Sequence, residues 1–544
     1  MRPHPLIFAQ NFRLSGKEPV LPLRVSISGI RGVVGDGLDA VTIARWASAF
    51  GAWLPEGPVV VGRDTRPSGP MVFDAVVAAL ASTGHDVWDI GIATTPTTEM
   101  AVQESDAVGG VIITASHNPQ QWNALKFLTG DGLFLTAAHN REVRARYEEG
   151  SGHVTHDKLG SVYDGEGADR QHLDAILDVD WLDREAVAGR KLKVAVDAVE
   201  GAGGSIVPEL LADLGVECAP LHCGLTGEFP HDPEPTPAHL VELCGLVKSS
   251  GADLGLAVDP DVDRLALVDG DGRALSEEMT LVLALDFLLA KTPGPVAVNL
   301  STTGLIETVA ARHGCEVFRT PVGEANVVEA ILGEGCVIGG EGNGGVIYPT
   351  IHAGRDALVG IAMVLQGLAE SGKTLAELVD ALPPVVMVKT KVDADALPAG
   401  EAFDLLANFD SVADWDPGVS AAERLDARLV DLETGRFVEG ADVDEFDTRA
   451  ASANPETSVA VPAELDLARQ QLRLARQEMQ RTLKEHNGVE RLAVTPAFQK
   501  ALASLQQIIQ ARPTHPLTQA AIDDVLGVAQ GFSAYQRYDL AVNV

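Results

Sequence analysis

A serine at position 116 lies where a nucleophile or a phosphate carrier is expected. It belongs to the string Thr-Ala-Ser-His-Asn-Pro at residues 114–119, directly after the apolar run of residues 109–113, which predicts a buried strand. Because Pro119 disfavours a helix through the end of this loop, we expect the serine at the carboxyl edge of a sheet. Open α/β folds place their active sites at that edge.

Two basic side chains near the serine are candidates for handling its proton and its charge. His117 is its neighbour in the chain, and Lys126 follows in the next apolar stretch. The simpler interpretation is a strand-ending turn in which the serine and Asn118 satisfy backbone groups. The stretch taken alone leaves both interpretations open.

Three alternating aspartates form a second candidate site: Asp259, Asp261 and Asp263. The apolar runs at residues 254–258 and 265–268 predict a buried strand on each side. Carboxylates this close repel one another unless a cation neutralises them, and hard oxygen ligands suit Mg²⁺. The glycine and the terminal glutamate of an EF-hand loop are absent from this string. The alternative is an acidic exposed turn.

Two arginine-containing segments are candidates for binding phosphate. Arg264 follows the third aspartate and could bind a phosphate that bridges to the metal. Arg31 lies in a strand that glycines interrupt, residues 24–35, where the backbone can approach a ligand closely and the guanidinium can meet a phosphate. A hairpin with a surface arginine is the alternative for this segment.

A further charged group, after the predicted strand of residues 59–63, is interpreted as structural. We predict that Arg63, Asp64 and Arg66 form an internal ion-pair network that holds the serine loop, in preference to a substrate contact.

A glycine-rich loop between two apolar runs predicts a sugar site. Glu341 accepts protons from hydroxyl or ammonium groups, and Asn343 both donates and accepts hydrogen bonds, so the pair suits a polyol or an amino sugar. Downstream, His352, Arg355 and Asp356 could complete the pocket. A glycine-rich hairpin without a ligand is the alternative.

Composition narrows the choice of partners. The chain has 544 residues and a formal net charge of −36, which argues against nucleic acid and anionic membranes as partners. No apolar run approaches the ~20 residues of a membrane-spanning helix, and the first residues lack the apolar stretch of a signal peptide, so we expect a cytoplasmic protein. The acidic surface suits either a high-salt cytoplasm or an ordinary mesophilic enzyme. From the candidate sites above, taken together, we expect small sugar phosphates as ligands, and we expect a monomer or homodimer.

The 5 cysteines do not indicate disulfides or a metal centre. Their number is odd, their spacing is irregular and no Cys-x-x-Cys occurs. His222 beside Cys223 invites a metal interpretation, but we favour buried free thiols.

Alternating strand and helix patterns predict an α/β protein with three successive similar α/β domains. A divergent, helix-rich C-terminal domain follows them. The predicted boundaries are an arm at residues 1–21 and domains at residues 22–165, 166–273, 274–384 and 385–544. A P-loop match at residues 367–374 follows a helical pattern instead of a strand, so we interpret it as a turn between two helices.

Taken together and in order, four motifs resemble those of the α-D-phosphohexomutase family. They are Ser-Gly-Ile-Arg-Gly at residues 28–32, the serine loop at 114–119, Asp-Pro-Asp-Val-Asp-Arg at 259–264 and Gly-Glu-Gly-Asn-Gly-Gly at 340–345. The resemblance covers residues 22–392. It implies a heart-shaped enzyme of four domains with the active site in the central cleft.

The resemblance also implies residue roles. It implies a phosphorylated serine that ligates Mg²⁺ together with the three aspartates: Ser116, Asp259, Asp261 and Asp263. It implies Lys126 as the general acid/base, with support from Arg31 and His117. It implies that Glu341 and Asn343 grip the sugar hydroxyls.

The reaction so implied interconverts hexose 6-phosphate and hexose 1-phosphate through a hexose 1,6-bisphosphate, which turns round between two transfers. The sugar loop resembles that of the archaeal-type branch, whose members are named as phosphoglucosamine mutases or as phosphoglucomutase/phosphomannomutases. We expect glucosamine phosphate as the substrate, with glucose or mannose phosphate as the alternative. A non-catalytic sugar-phosphate-binding homologue with a partner-binding helical tail is the rival interpretation.

One departure from the family pattern concerns the fourth domain. The family's Arg-x-Ser-x-Thr-Glu-Pro phosphate loop is absent from the sequence, and residues 449–457 hold similar residues in another order, which we interpret as an accident. The family does not account for the helical tail from about residue 458.

Overall fold

The computed structural model describes residues 23–150 and 152–383. The predicted N-terminal arm and C-terminal domain, including residues 449–457 and the helical tail, lie outside these residues. The described residues divide into two compact units: one is made of residues within Met1–Glu277 together with Gly344–Thr374, and the other of Glu278–Asn343 and residues from Leu375 onward.

The first sheet of the larger unit has 8 strands. They are β1 (Arg24–Ser26), β2 (Gly29–Val34), β3 (Gly37–Leu38), β4 (Val59–Arg63), β5 (Val87–Ile92), β6 (Gly109–Ile113), β7 (Trp122–Thr129) and β8 (Val162–Asp164). Their order is β1-β2-β7-β6-β4-β5-β8, and β3 pairs with β2. The sheet is mixed, because β4 is parallel to β5 and β6 whereas β7 is antiparallel to β6 and β2.

Helices cover both faces of this sheet, whose central strands β4 and β6 are predominantly apolar and buried. They are α1 (Ala40–Trp53), α2 (Gly69–Ser82), α3 (Thr95–Gln103) and α4 (Ala137–Glu149). On one face Val61 and Ile113 pack with Phe50 and Leu80 of α1 and α2. Ile112, on the opposite face, packs with residues that include Val102 of α3. This packing makes the central strands a rigid support for the loops at their carboxyl ends.

The glycine in the Ser-Gly-Ile-Arg-Gly segment serves the sheet. Gly29 has φ +148, and a Cβ atom there would collide with the backbone oxygen of Leu125. The glycine therefore allows β2 to pair closely with β7, whereas the sequence suggested an approach to a ligand. This pairing places Arg31 opposite Ala124 and next to the serine loop.

The second sheet of the larger unit has 4 strands in the order β10-β9-β11-β12. Its elements are α5 (Ala168–Leu177), α6 (Arg184–Gly189), β9 (Lys193–Asp197), α7 (Gly203–Asp213), β10 (Glu217–Leu221), α8 (Val241–Ser250), β11 (Leu254–Val258) and β12 (Leu265–Asp269). The strand β9 is parallel to β10 and β11, and β12 returns antiparallel to β11. The aspartate loop is the turn between β11 and β12.

The second unit contains a third parallel arrangement of strands. Its elements are α9 (Glu278–Lys291), β13 (Val296–Asn299), α10 (Leu305–Arg312), β14 (Val317–Thr320), α11 (Glu324–Glu334), β15 (Ile338–Glu341) and, after α12, α13 (Leu375–Asp380). Here β13 lies between β14 and β15 and is parallel to both.

The segment 344–374, which lies within the predicted domain of residues 274–384, groups with the larger unit by its contacts. It contains β16 (Gly345–Ile347) and α12 (Ala357–Ser371). The reason is packing: α12 lies against α6, and the backbone of Asp183 donates a hydrogen bond to the Gln366 side chain at 3.0 Å. The P-loop match falls on the end of α12 and the turn before α13, as predicted. Every helix in residues 23–150 and 152–383 is too short or too polar to cross a bilayer.

Candidate active site

The serine loop begins where β6 ends, and its backbone is left-handed at the serine. Ser116 has φ 49, an uncommon conformation for a residue with a side chain, and its N–H donates to Thr114 Oγ1 at 2.9 Å. The side chain is 6% exposed. A left-handed backbone conformation at a residue with a side chain persists only where the surrounding structure stabilises it. Here an arginine stabilises it.

The guanidinium of Arg66 stabilises the serine loop by donating hydrogen bonds to the loop's backbone carbonyl oxygens. It donates to the carbonyl oxygens of Ser116 at 2.5 Å, Asn118 at 2.6 Å, Pro119 at 2.8 Å and Trp122 at 3.0 Å. The side chain is 1% exposed. One planar, always charged group therefore fixes the whole turn, which a lysine could not do with the same geometry.

Asp64 balances the charge of this arginine. Its carboxylate accepts hydrogen bonds from Arg66 Nε at 3.0 Å and from the Thr114 hydroxyl at 2.7 Å. Burial raises the pKa of Asp64 even though the charge of Arg66 opposes the rise. The predicted network is confirmed for Asp64 and Arg66; within the described part of the chain, Arg63 Nε has no hydrogen-bond partner.

The three aspartates meet the serine in space. The Ser116 hydroxyl donates to Asp259 Oδ2 at 2.7 Å. One oxygen each from Asp259, Asp261 and Asp263 lies within 4.8 Å of the others, and all three residues are 0% exposed. The structure therefore brings together the two loops that the sequence singled out separately.

Two buried carboxylate oxygens of this group fit a bound cation. Among the described residues, Asp261 Oδ1 and Asp263 Oδ1 lack a hydrogen-bond donor. A buried charged oxygen without a partner is costly, and a hard cation coordinated by oxygen removes the cost. The donor set of three carboxylates and a nearby hydroxyl is one that Mg²⁺ accepts.

Electrostatic repulsion within the group is large. Burial and the charges of Asp263 and Asp261 raise the pKa of Asp259 well above its usual value. Although burial acts in the opposite direction, the ammonium of Lys126 and hydrogen bonds from Asp259, Lys126 and Thr95 lower the pKa of Asp261. The three carboxylates therefore cannot all be charged together without positive charge between or beside them.

Lys126 supplies part of that positive charge. Its Nζ donates to Asp261 Oδ2 at 2.8 Å and lies 3.8 Å from Asp263 Oδ2. Burial alone would lower the pKa of Lys126, but the two carboxylates outweigh it and raise the pKa. The Thr95 hydroxyl donates to the same Asp261 oxygen at 2.6 Å.

Thr95 was not among the site residues predicted from the sequence. The sequence did contain a signal for Thr95, because the hydroxyl-rich residues 94–98 begin one residue after Ala93, which follows the end of strand β5. Carboxyl ends of parallel strands share one edge of a sheet, so this string had to lie near the serine loop.

Three arginines converge on the same loops. Arg31 donates to Asn118 Oδ1 at 2.6 Å, and Arg355 donates to Asp263 Oδ2 at 2.6 Å. Arg264 Nε lies 3.7 Å from Asp263 Oδ1. The site thus holds fixed positive charges of the kind that stabilise a phosphoryl group during transfer.

His117 lies in this positive field. Its Nδ1 is 3.3 Å from Ser116 Oγ. Burial, followed by the charges of Arg264 and Arg31, lowers the pKa of His117 well below its usual value. The imidazole is therefore neutral at pH 7 and can accept or donate a hydrogen bond at the serine oxygen.

Asp356, the residue that follows Arg355 in the chain, lies in a buried polar cluster. It is 0% exposed and caps α12, accepting from the backbone N–H groups of Leu358 at 2.8 Å and Val359 at 3.3 Å. Its other oxygen lies 2.8 Å from His172 Nε2 and 3.3 Å from His352 Nε2.

The same cluster fixes the charge of one histidine. Burial lowers the pKa of His352, but hydrogen bonds with Asp356 and Glu99 raise it to about 10. This geometry supports a positioning role for Asp356 next to Arg355; its predicted substrate contact stays a prediction.

The predicted sugar loop lies in the second unit. Glu341 is 4% exposed, and its Oε1 accepts from the Asn299 amide at 2.7 Å and from the Gly323 N–H at 3.3 Å. The amide of Asn343 donates to Glu341 Oε2 at 3.3 Å. A Cβ on Gly342 would collide with the Glu278 carboxylate, which explains a glycine there. The loop is pre-formed, and the sugar contacts of Glu341 and Asn343 stay predictions.

Comparison with known proteins gives one consistent result. Models described as phosphoglucomutase/phosphomannomutase, alpha/beta/alpha domains I, II and III match residues 24–153, 170–272 and 276–386. A probable phosphoglucosamine mutase of Methanopyrus kandleri is 37% identical over 368 residues, which is 67% of this chain and 80% of that protein. A phosphoglucomutase/phosphomannomutase of Thermococcus kodakarensis is 37% identical over 371 residues, 67% of this chain and 81% of that one.

A solved structure agrees with these relatives. The crystal structure of a putative phosphomannomutase from Thermus thermophilus has a TM-score of 0.60 and 28% identity. The match covers 66% of this chain and 83% of that chain.

Replacing Arg66 tests how the serine loop is held. We expect Arg66→Met to leave buried Asp64 without its counter-charge and to cost about 3–5 kcal/mol of stability. Because the serine then loses its fixed position, kcat/KM should fall about 100-fold or more. Unfolding in urea and steady-state kinetics measure the two effects.

Two matched variants separate charge from geometry. Arg66→Lys keeps the charge but not the fork of donors, so it should recover part of the stability and little of the activity. Arg45→Met removes an arginine that stacks 4.2 Å from the Tyr147 ring, elsewhere in the same domain, and should leave kcat/KM near the native value. Equal activity of native protein and Arg66→Met would contradict the assigned role.

Proposed function

The chain belongs to the phosphoglucomutase/phosphomannomutase family, and we propose that it is a phosphoglucosamine mutase acting through a phosphorylated Ser116. Membership makes it a phosphohexomutase, an intramolecular phosphotransferase of the isomerase class. The proposal adds the covalent carrier, the metal and the sugar. Its single strongest support is the 2.7 Å hydrogen bond between the Ser116 hydroxyl and Asp259 Oδ2.

The three aspartates and the serine loop would hold Mg²⁺. The oxygens of Asp261 and Asp263 that lack hydrogen-bond donors in the described structure support this choice, as does the resemblance of the aspartate loop to the family motif. Bound there, Mg²⁺ supplies charge neutralisation to the oxygens of a phosphoryl group.

The proposed reaction consists of two phosphoryl transfers. In the first, the bond between phosphorus and Ser116 Oγ breaks while a bond to a hydroxyl oxygen of the sugar monophosphate forms. The product is a hexose 1,6-bisphosphate. After it turns round, its other phosphoryl group moves to Ser116 Oγ, and the isomeric monophosphate leaves.

Each transfer releases one proton from the attacking hydroxyl and requires one at the oxygen that leaves. A single residue that gives and takes a proton therefore completes the balance. We assign this role to Lys126, whose ammonium is held 2.8 Å from Asp261 at the edge of the aspartate group. A cation among the same carboxylates would offset their pull on the ammonium and ease loss of its proton.

Two arginines of the site are assigned to stabilising the negative charge of the transferred phosphoryl group. Phosphoryl transfer spreads negative charge over the equatorial oxygens, so arginines already in place stabilise it without rearrangement. Arg264 and Arg31 are assigned this role, and neutral His117 supports the serine oxygen. Arg355, held by Asp263, is assigned to the substrate phosphate or sugar.

The sugar preference rests on the loop in the second unit. A buried carboxylate at Glu341 favours an ammonium group on the sugar over a hydroxyl, because the ionic hydrogen bond is the stronger one. The relatives named as probable phosphoglucosamine mutases support the same choice. Glucose or mannose phosphate is the alternative.

Phosphate on Ser116 is the most direct test of the proposed carrier. Intact-protein and peptide mass spectrometry after incubation with a hexose 1,6-bisphosphate should place one phosphoryl group on this serine. Ser116→Ala should abolish this label and lower mutase activity by about three orders of magnitude or more, because the covalent route is lost.

A serine of α8 provides the control for this test. Ser249 is exposed, and its hydroxyl is bonded only to the helix carbonyl of Leu246 at 3.3 Å among the described residues. Ser249→Ala should keep both label and activity. Label on another residue, or full activity in Ser116→Ala, would refute the carrier and favour a non-catalytic or different role.

Substrate choice is tested by comparing three sugar 1-phosphates. We expect kcat/KM to be highest for glucosamine 1-phosphate, above the glucose and mannose compounds. Glu341→Gln should reduce kcat/KM for glucosamine by about 10-fold more than for glucose, since only the amino sugar carries the charge that the carboxylate attracts.

A second glutamate of the same unit is the matched control. Glu334 is exposed at the end of α11, and Glu334→Gln should leave the ratio of the three values unchanged. A native preference for glucose or mannose, unaffected by Glu341→Gln, would instead indicate a phosphoglucomutase/phosphomannomutase.

A further inference from the structure

Two histidines and two carboxylates converge at the carboxyl ends of β9 and β10, apart from the aspartate loop. Asp197 ends β9, His222 follows β10, and His231 lies in the next loop. His222 Nδ1 is 3.2 Å from Asp197 Oδ1, and His231 Nε2 is 3.0 Å from Asp197 Oδ2. One nitrogen of each histidine therefore faces the same buried carboxylate.

The other nitrogen of each histidine faces a second acceptor. His231 Nδ1 lies 2.8 Å from the backbone oxygen of Asp232, and His222 Nε2 lies 3.4 Å from Glu242 Oε2. A neutral imidazole carries one N–H. If these protons serve the outer acceptors, both inner nitrogens direct lone pairs at the oxygens of Asp197.

In that arrangement the nitrogen lone pairs face the carboxylate oxygens at about 3 Å and repel them, and positive charge between them removes the repulsion. Two additional protons would supply it, and so would one divalent cation. The outer contacts resemble those of metal-binding histidines, which donate the second ring N–H to a backbone carbonyl or a carboxylate. His231 makes such an outer contact, and His222 Nε2 has the exposed Glu242 carboxylate within ion-pair distance.

The inner donor atoms form a suitable ligand set. One oxygen of Asp197 and one nitrogen each of His222 and His231 lie within 4.8 Å of one another. Zinc–ligand bonds of about 2.0–2.2 Å require donor atoms about 3.3–3.5 Å apart, which small side-chain movements provide. Asp197 is 1% exposed, whereas the histidine side chains are 16% and 17% exposed, so the site can be reached from solvent.

We propose that Asp197, His222 and His231 bind one zinc ion, with water in the remaining position. Two imidazoles and one carboxylate are a donor set that zinc accepts and that magnesium does not prefer. Cys223 is not part of the set, because its thiol donates to the backbone oxygen of Leu221 at 3.2 Å.

The proposed ion would link the two ends of the loop between His222 and His231. This loop contacts residues that support the serine loop. Between the two histidines, Gly227 N–H donates to Glu200 O at 3.0 Å, and Thr65 Oγ1 donates to the same oxygen at 2.8 Å. The Phe229 ring lies 5.0 Å from the guanidinium carbon of Arg66. Zinc would therefore stabilise the face of the loop that covers the arginine holding the serine.

The test measures zinc bound to the full chain. Metal-stripped protein is given saturating Mg²⁺, so that the aspartate loop is filled, and is then titrated with Zn²⁺ by calorimetry, with elemental analysis after gel filtration. Native protein should retain one equivalent of zinc. His231→Gln should bind it about 10-fold or more weakly, because a ligand is lost.

A neighbouring histidine is the matched control. His239 lies in the same connection and is partly exposed, but it contacts Glu234 O at 2.8 Å and lies outside the proposed ligand set. His239→Gln should bind zinc like the native chain. Equal zinc affinity in native protein and His231→Gln, or no retained zinc in native protein, would overturn the proposal.

A second measurement avoids variants altogether. Crystals of the native chain soaked in Zn²⁺ should give an anomalous peak at the zinc edge, bonded to Asp197, His222 and His231. A map with zinc elsewhere and none at these residues would overturn the proposal even if the variants fail to fold.

Discussion

The active site depends on one hydrogen bond between two loops that are far apart in the chain. The hydroxyl of Ser116 donates to Asp259 at 2.7 Å, so the oxygen proposed to carry phosphate lies against the carboxylates proposed to carry the metal. Each loop begins at the carboxyl end of a buried strand, β6 in one sheet and β11 in the other. A phosphoryl group on the serine would therefore lie next to a cation held by the aspartates.

Charge balance determines what else the site must contain. Three buried carboxylates would destabilise the fold by mutual repulsion and by loss of solvation. Lys126 and Arg355 each form an ion pair with this group, and Thr95 adds a hydroxyl donor. In the serine loop, the backbone carbonyl oxygens accept hydrogen bonds from the buried guanidinium of Arg66. Residues proposed to bind a phosphorylated sugar are thus also residues that stabilise the folded state.

The local sequence pattern predicted the strands that end at the site loops. It predicted few of the contacts between residues that are far apart in the chain. The strand that ends before Ser116 and the two strands around the aspartates were predicted because apolar runs stopped at turn-forming residues, and the observed bounds agree closely. The partners of those residues could not be read in the same way. Thr95 and Asp261 are far apart in sequence, and only the fold brings them together.

The same limit applies to two other residues. The predicted sugar contact of Asp356 stays a prediction, but the sequence did not indicate that Asp356 caps α12 and contacts histidines from another helix and a loop. His231 carried no local signal, since its partner Asp197 ends a strand in a different part of the domain. The grouping of the segment 344–374 with the larger unit likewise depends on helix packing that no local pattern encodes, whereas the predicted domain of residues 274–384 is close to the family's domain III match at 276–386.

The central claim is that the oxygen of Ser116 and the three aspartates share one cation. The most direct measurement is the ³¹P NMR signal of the phosphorylated protein while Mn²⁺ replaces Mg²⁺, because a paramagnetic ion broadens the signal of a nearby phosphorus. The account predicts strong broadening of the phosphoserine signal in native protein and loss of that broadening in Asp261→Asn. A phosphoserine signal that stays sharp when Mn²⁺ is bound at the aspartates would contradict the account.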